Sequence, residues 1–287
     1  MRPRPAAARY HSAPARTRAS RIGPTRTTQP CTRPAVDRYV PAVPNRQAAV
    51  VLVHGGAHAK WSFEQYARVL SEEGYEVHAL DWFNHGGSAR LPEEQFLCRG
   101  IDDVAYEELR YLTERLGRPP VIIGHSMGAM AALVYAVSNP VERLVLLTPV
   151  VPSSVGADPI DLDVDLTKPF GPVPYDLARV LFYPTLDEDL ARMYHQLLEP
   201  ESPLAVWQAT RWTIDVDLQA VTAPTLVFAT ELDVLTPPAA VAGLAELMGA
   251  PYELIPGIGH SEILLKRPES IAVAERIREW LDGDLAR

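Results

Sequence analysis

The chain has 287 residues, of which 47% are hydrophobic and 22% are charged, and its formal net charge is −9. This length fits one large domain with additional segments. The composition is too apolar for a wholly disordered chain and too charged for an integral membrane protein, so we expect a soluble enzyme or binding protein.

Residues 1–46 differ in composition from the rest of the chain. They contain ten Arg, eight Pro and one acidic residue, Asp37, so their net charge is near +9, against −18 for the remainder. They show no hydrophobic period that could offset the entropy lost on ordering, so we predict a disordered Arg/Pro-rich tail. An Arg-rich start can be a targeting peptide or a nucleic-acid-binding arm, but we interpret it as a solvated extension and expect no nucleic-acid partner.

Neither a secretion signal nor a membrane span is expected. The tail lacks the apolar stretch of a signal peptide, and no apolar run of 18 residues occurs anywhere in the chain. We therefore expect a cytoplasmic protein without a membrane partner. Two cysteines, Cys31 and Cys98, cannot form a disulfide framework, and no Cys or His cluster has zinc spacing, so no metal is expected.

From residue 48 onward, short β-branched runs alternate with amphipathic stretches, which is typical of a mostly parallel sheet covered by helices. The predicted strands cover residues 49–53, 75–80, 121–124, 144–148, 225–229 and 252–255. The predicted helices cover residues 62–74, 102–117 and 129–138, one that starts at Pro237 and Pro238, and a last one over 268–281. Ser62 and Gln65 have the spacing of a capping box at the start of the first helix.

The alternation breaks between Pro149 and Thr222. We predict that residues 47–149 and 222–287 form an α/β core and that residues 150–221 form an inserted lid, helical over 175–198 and 203–213, because a loop of that length without a role is unusual. Aromatic and small apolar residues of the lid and of the loop after the first strand are candidates for a substrate pocket: Ala57, Trp61, Phe182, Tyr194, Trp207 and Trp212.

Ser126 lies in a G-x-S-x-G motif, Gly124 to Gly128, directly between a predicted strand and a predicted helix. In this context the motif forms a sharp elbow that lifts the serine hydroxyl above the sheet. A serine hydroxyl needs a base that is itself oriented by a carboxylate. The sequence therefore predicts a nucleophile at Ser126 and requires a histidine and an acid elsewhere in the chain.

His260 and Asp233 best meet that requirement. In this arrangement the acid and then the histidine follow the serine, and only His195 and His260 lie beyond it. His195 falls in the helical pattern of the lid, whereas His260 follows the last strand across a Gly-rich turn. Asp233 lies just past a strand's carboxyl end, where catalytic groups collect, and nearby Glu231 is interpreted as a surface charge.

The oxyanion of an acyl-transfer reaction needs two hydrogen-bond donors. Met127 supplies one N–H as part of the elbow. The loop after the first core strand supplies the other, and we expect the Gly56 N–H, with the Ala57 N–H as the near alternative. His54 in this loop, and His85 in the next, are interpreted as structural histidines.

The run from Val51 to Phe63, the elbow and the later acid and histidine resemble the α/β-hydrolase superfamily. The closest similarity is to methylesterases, hydroxynitrile lyases and small bacterial carboxylesterases. The resemblance implies an α/β-hydrolase fold, with helices on both faces of the sheet and an inserted helical lid. It also implies a triad of Ser126, Asp233 and His260, and no cofactor.

We expect a serine hydrolase that cleaves a carboxylic ester of a small, mainly apolar substrate through an acyl-enzyme. Three alternatives stay open. The elbow is as similar to that of type II thioesterases, so a thioester is one alternative substrate. A hydroxynitrile lyase-like carbon–carbon lyase would need a lysine near the serine, and Lys168 is the only lysine in the lid. A protein of this fold can also bind a small molecule without hydrolysing it.

Overall fold

Seven strands form one sheet in the computed structural model, which describes residues 33–43, 46, 48–155 and 157–283. The strands are β1 (Val36–Tyr39), β2 (Ala49–Val53), β3 (Glu76–Leu80), β4 (Val121–His125), β5 (Arg143–Leu147), β6 (Thr225–Thr230) and β7 (Tyr252–Ile255). Their order across the sheet is β1-β3-β2-β4-β5-β6-β7. All pairs are parallel except β1 with β3, which is antiparallel.

Helices connect the strands, as the crossover between parallel strands requires. They are α1 (Glu64–Glu72), α2 (Glu93–Leu97), α3 (Ile101–Val104), α4 (Arg110–Leu116), α5 (Met127–Ala136), α6 (Tyr175–Leu181), α7 (Glu188–His195), α8 (Pro203–Arg211), α9 (Pro238–Met248), α10 (Glu262–Leu265) and α11 (Glu269–Asp282). A π-helical stretch, Ala105–Leu109, joins α3 to α4, and short 3₁₀ helices lie at Lys60–Phe63, Ser153–Val155 and Leu218–Ala220.

Two apolar cores lie on the two faces of the sheet. Successive residues of β2 point to opposite faces, so Val51 and Val53 enter the core that contains α5, whereas Val50 and Leu52 enter the core that contains α1 and α11. Every residue of β2 is fully buried. Burial on both faces explains why β2 is a continuous apolar run and does not alternate with polar residues.

The structure corrects the predicted start of the folded part. The expected disordered tail reached residue 46, but Val36–Tyr39 forms an edge strand, and Val36 lies opposite Leu80 in the antiparallel pair with β3. This strand has only two apolar residues, Val36 and Tyr39, on either side of two charged ones, which is too weak a signal to stand out beside Pro and Arg. Residues 1–32 of the predicted tail lie outside the described residues.

The predicted capping box is also wrong. A 3₁₀ turn over Lys60–Phe63 precedes α1, and the Ser62 hydroxyl donates to the carbonyl of Ala59 at 2.8 Å instead of capping the helix. The helix therefore begins at Glu64, without a side-chain cap. The other helix predictions agree with the structure to within two or three residues in the core.

Residues 150–221, the predicted lid, contain α6, α7 and α8. The helix expected over 175–198 is interrupted between Leu181 and Glu188, where Pro184 lies. Two of the three helices begin with a serine or aspartate cap: Asp187 accepts from the backbone N–H groups of α7, and Ser202 does so for α8. In the part of the chain that is described, no helix has the length and apolar character needed to cross a bilayer.

Candidate active site

Ser126 occupies a strained turn between β4 and α5. Its backbone has φ 55° and ψ −120°, a region that non-glycine residues rarely adopt, and strain of this kind concentrates at functional sites. The Ser126 N–H donates to the carbonyl of Leu147 on the neighbouring strand at 3.0 Å. In return the Ser126 carbonyl accepts from Ala129 and Val150 at 3.1 and 3.2 Å. The sheet and the helix therefore both hold the elbow that carries the hydroxyl.

The two glycines of the motif are required by close packing and not by a positive φ angle. A Cβ atom at Gly124 would lie 2.6 Å from the Cα of Ala129. At Gly128 it would lie 2.3 Å from the carbonyl oxygen of His54. These are backbone atoms that cannot move aside cheaply, so α5 approaches the sheet this closely only with glycine at both positions.

Asp233 and His260, which are 27 residues apart in sequence, are hydrogen-bonded to each other. The His260 Nδ1–H donates to Asp233 Oδ2 at 2.7 Å, and both side chains are buried. Asp233 follows β6 and His260 follows β7, so neighbouring parallel strands deliver the acid and the base to the same edge of the sheet. This bond fixes the proton on Nδ1 and leaves Nε2 free to accept one.

The rest of the Asp233 carboxylate is also hydrogen-bonded. Oδ1 accepts the backbone N–H groups of Leu235 and Thr236 at 2.8 and 2.9 Å, and Oδ2 accepts the Thr236 hydroxyl at 2.8 Å. The Thr236 hydroxyl also lies 3.1 Å from the carbonyl of Thr148 at the end of β5. Sequence reasoning missed Thr236, although a hydroxyl residue three positions after a candidate acid is a readable signal for such a turn.

Ser126 and His260 line the same cavity, which lies between the core and the predicted lid. The residues Gly56, Ala57 and His58 of the loop after β2 and the elbow residues His125 and Met127 form the floor together with Ser126. The walls are mostly apolar, with Val150, Ile160, Leu162, Phe170, Val173, Leu181, Phe182, Val206, Ala209 and Leu235, and the polar wall residues are Glu201, Thr210 and Thr236.

Gly56 and Met127, whose backbone N–H groups are the predicted oxyanion donors, line the cavity together with Ser126. Within the described residues the Gly56 N–H makes no hydrogen bond, and Met127 is the first residue of α5, where N–H groups have no partner inside the helix. The two residues are in contact, because a Cβ atom at Gly56 would lie 2.7 Å from Met127 Sδ. The Ala57 N–H, the alternative donor, instead donates to Glu201 Oε2 at 3.0 Å.

Burial favours the neutral form of three histidines, His54, His58 and His125. Desolvation lowers the pKa of His58 to about 4 and lowers the pKa values of His54 and His125 well below the usual range. The His58 Nδ1–H donates to the carbonyl of Gly56 at 2.8 Å. His54 Nε2 accepts the Trp82 N–H at 3.0 Å, which agrees with the structural role expected for that histidine.

The predicted pocket residues divide into two groups. Ala57 and Phe182 line the cavity. The other four do not: Trp61, Tyr194, Trp207 and Trp212. Trp61 and Tyr194 stack on each other with ring centroids 5.6 Å apart behind the cavity wall, and Trp207 is 37% exposed. Trp212 is buried, and its indole N–H donates to the carbonyl of Asp158 at 2.8 Å. The composition of a helix does not reveal which of its faces meets the cavity.

The competing residues lie away from the cavity. His195 Nε2 donates to the carbonyl of Val173 at 2.8 Å, and the Glu231 carboxylate accepts the Gly257 N–H at 2.8 Å near the surface. Lys168, the lysine on which a lyase reaction would depend, has a side chain that is 71% exposed and pairs with Asp165. It does not line the cavity.

A sequence model of the alpha/beta hydrolase family matches residues 50–274. Among curated proteins, an sn-1-specific diacylglycerol lipase of Mus musculus is 34% identical over 103 residues, which cover 34% of this chain and 32% of that protein. The chain thus aligns with about a third of the length of this relative.

Solved structures extend the similarity to most of the chain. A thermophilic esterase from Thermogutta terrifontis has a TM-score of 0.67 at 19% identity and covers 87% of this chain and 93% of its own. A monoacylglycerol lipase from Paleococcus ferrophilus has a TM-score of 0.63 at 20% identity, and the match covers 87% of this chain and 98% of the lipase chain. At this level of identity the similarity demonstrates a shared fold.

Proposed function

The chain belongs to the alpha/beta hydrolase family, and on that premise we propose that it is a serine hydrolase that cleaves a carboxylic ester of a small, mainly apolar substrate through an acyl-enzyme. The observation that carries the proposal is the buried 2.7 Å hydrogen bond between His260 and Asp233, at the rim of the cavity that also contains the elbow serine. A fold alone does not imply an activity, whereas this arrangement has a specific chemical use.

The proposed reaction starts when His260 Nε2 accepts the proton of the Ser126 hydroxyl as the oxygen attacks the ester carbonyl. The Gly56 and Met127 N–H groups stabilise the negative charge on the former carbonyl oxygen. His260 then donates the proton to the leaving alcohol, and water hydrolyses the acyl-enzyme by the same route. Asp233 holds the imidazole and stabilises its charged form.

The cavity walls support an apolar acyl or alkyl group as the preferred substrate portion. The segment 150–221 contributes most of these walls, and we propose that it acts as a lid over the serine. The chain is similar to a diacylglycerol lipase and to an esterase, and these names also favour an ester as the substrate. A thioester substrate would use the same residues and is distinguished by experiment.

The test is labelling and turnover with wild type and Ser126→Ala. We expect wild type to react with a fluorophosphonate and to hydrolyse p-nitrophenyl butyrate. We expect Ser126→Ala to lose the label and to lose turnover by on the order of 10³-fold or more. Ser71→Ala, on α1, removes a hydroxyl that does not line the cavity and serves as the matched control.

Labelling without turnover of esters or thioesters would contradict the proposal and would indicate a binding protein. Faster turnover of charged substrates than of apolar ones would contradict the proposed substrate class. Butyryl thioesters assayed beside the ester distinguish the two acyl donors, and a hydrolase that prefers the thioester would overturn the ester assignment.

A further inference from the structure

Ala57, next to the proposed oxyanion donor, has an unfavourable backbone conformation. Its φ angle is 60°, at the third position of a turn that His58 N–H closes onto the carbonyl of Gly55 at 3.4 Å. A turn of this kind favours glycine at that position, and an alanine there costs about 1 kcal/mol or more. The surrounding structure must therefore hold Ala57 in place, and with it the direction of the preceding Gly56 N–H.

The predicted lid holds Ala57 from both sides. The Ala57 N–H donates to Glu201 Oε2 at 3.0 Å, and the Glu199 N–H donates to the Ala57 carbonyl at 3.0 Å. Glu201 is itself anchored, because it forms an isolated antiparallel β-bridge with Phe170. Each backbone N–H of the pair donates to the other residue's carbonyl at 2.9 Å. The backbone of the oxyanion loop is thus attached to a segment more than 140 residues later in the chain.

The Glu201 side chain is an unusual group for the wall of an apolar cavity. It is only 2% exposed, and a buried carboxylate is costly unless it is paired and hydrogen-bonded. Its Oε1 accepts the Ser202 N–H at 2.8 Å, and its Oε2 lies 3.2 Å from His85 Nε2. Burial lowers the pKa of His85, but the charge of Glu201 outweighs this and raises the pKa overall, which favours the imidazolium form opposite the carboxylate.

Both carboxylate oxygens of Glu201 face backbone donors. Oε1 faces the Ser202 N–H and Oε2 faces the Ala57 N–H, so each oxygen must act as an acceptor. A glutamine has nearly the same shape but carries an NH₂ group in place of one oxygen, and that group would meet a donor on either side. An amide therefore cannot reproduce the contacts, although it preserves the volume.

We propose that Glu201 is a positioning residue for the hydrolytic reaction: through the Ala57 N–H it holds the oxyanion loop in the turn that directs the Gly56 N–H at the developing negative charge. This role rests on the proposed function of the Ser126 site. With His85 protonated, the pair is neutral, and the carboxylate holds the loop without placing a net charge beside the oxyanion. Glu201 stabilises the transition state indirectly, through the Gly56 N–H, and makes no contact with the substrate.

A positioning role predicts a selective effect on kcat. A misdirected oxyanion donor stabilises the transition state less well, while the apolar contacts with the substrate stay unchanged. We expect Glu201→Gln to lower kcat for p-nitrophenyl butyrate by roughly 10- to 100-fold with KM within about twofold. The affinity for butylboronic acid, which forms a tetrahedral adduct, should fall by a similar factor. The affinity for the unreactive butyranilide should stay the same.

Two further variants make the test specific. Ala57→Gly in the Glu201→Gln background should restore part of kcat, because glycine adopts a positive φ angle without strain. Glu201→Asp keeps the charge opposite His85, but its carboxylate is one C–C bond, roughly 1.5 Å, farther from Ala57. It should therefore show the same loss of kcat, and it provides the measurement if the glutamine variant does not fold. Glu188→Gln, an exposed lid carboxylate paired with Arg192, is the matched control.

The outcomes are separable from those of the proposed function. If wild type does not hydrolyse esters, the proposed function fails before Glu201 is tested. If wild type is active and both Glu201 variants keep its kcat, the positioning role is overturned. It is also overturned if KM rises in proportion to the loss of kcat/KM, or if boronic acid and anilide lose affinity equally, because either result would indicate that Glu201 acts on substrate binding.

Discussion

His260 is held by different partners at its ring and at its backbone. The Asp233 carboxylate accepts from Nδ1, while the carbonyl of His260 accepts the His125 Nε2–H at 3.2 Å and so holds the backbone of the turn. With the ring 1% exposed, bulk water does not compete for these bonds. The tautomer of this imidazole therefore depends on one carboxylate, which makes Asp233 the residue to test.

Asp233→Asn should lower kcat by on the order of 10³-fold or more with little change in folding. The asparagine oxygen would remain on the backbone N–H groups of Leu235 and Thr236, so its NH₂ group would face His260 and donate to Nδ1. The imidazole proton would then move to Nε2, which could no longer accept the proton of Ser126. Ester turnover at constant pH, with far-UV circular dichroism of both proteins, makes the measurement.

Glu231→Gln is the control for this variant, since Glu231 lies two residues away and a glutamine can still accept the Gly257 N–H that it binds. Equal activity of Asp233→Asn and Glu231→Gln would show that Asp233 has no part in the reaction.

At the scale of elements, the predicted lid is tied to the turn that carries His260. The Ser261 N–H donates to the carbonyl of Phe182 at 2.8 Å, and the buried Glu262 carboxylate accepts the N–H groups of Gly259 and Thr185 at 2.5 and 2.7 Å. Gly259 packs so closely against Pro184 that a Cβ atom would lie 2.3 Å from the proline ring. These contacts hold the start of α10 and the link between α6 and α7 as one unit.

Glu262→Gln should destabilise the protein by about 1–3 kcal/mol, because the N–H group of either Gly259 or Thr185 would face an NH₂ group and lose its acceptor. Urea denaturation of wild type and variant gives the free energy of unfolding. Hydrogen exchange at Thr185 and Gly259 should accelerate in the variant. Glu275→Gln on the exposed face of α11 is the matched control, and an unfolding free energy that changes equally in both variants would refute the role of this tie.

At the scale of the whole molecule, burying several histidines around one cavity couples folding to pH. Desolvation is the main cause of the lowered pKa values of His54, His58 and His125. The unfolded chain binds protons at these residues near pH 6.5, whereas the native protein does so only at lower pH. Stability is therefore lost as the pH falls below 6.5, since the unfolded state then binds more protons than the native state. His85, with a raised pKa, acts in the opposite direction.

We expect the free energy of unfolding to fall between pH 7 and pH 5, with about 2 kcal/mol of the decrease due to His58, whose native pKa is about 4. His58→Gln has no proton to gain in this range, so its stability should depend less on pH by that amount. Urea denaturation at pH 7 and pH 5 measures both proteins. A pH dependence that is identical in wild type and variant would disprove the contribution of His58.

Six of the seven strands were predictable because most of their residues are apolar over four to six positions and because turn residues bound them. A strand with both faces buried is recognisable without knowledge of its neighbours. β1 was not predictable from its sequence, because its Asp37 and Arg38 belong to an edge strand with an exposed side. Its pairing with β3 also joins segments some forty residues apart. The break between α6 and α7 shows the same limit, since only tertiary packing decides whether a proline region bends or ends a helix.

The sequence by itself determined the elbow serine, its glycines and the order in which an acid and a histidine follow, because each depends on local backbone geometry or on the strand that delivers it. Only the tertiary structure decided which residues of the predicted lid line the cavity and that Glu201 contacts both His85 and the loop after β2. Neither residue has a local pattern that marks it, and the carboxylate meets Ala57 and His85 only when segments more than a hundred residues apart pack together. A contact between distant segments depends on the packing of the whole chain, and no single segment encodes it.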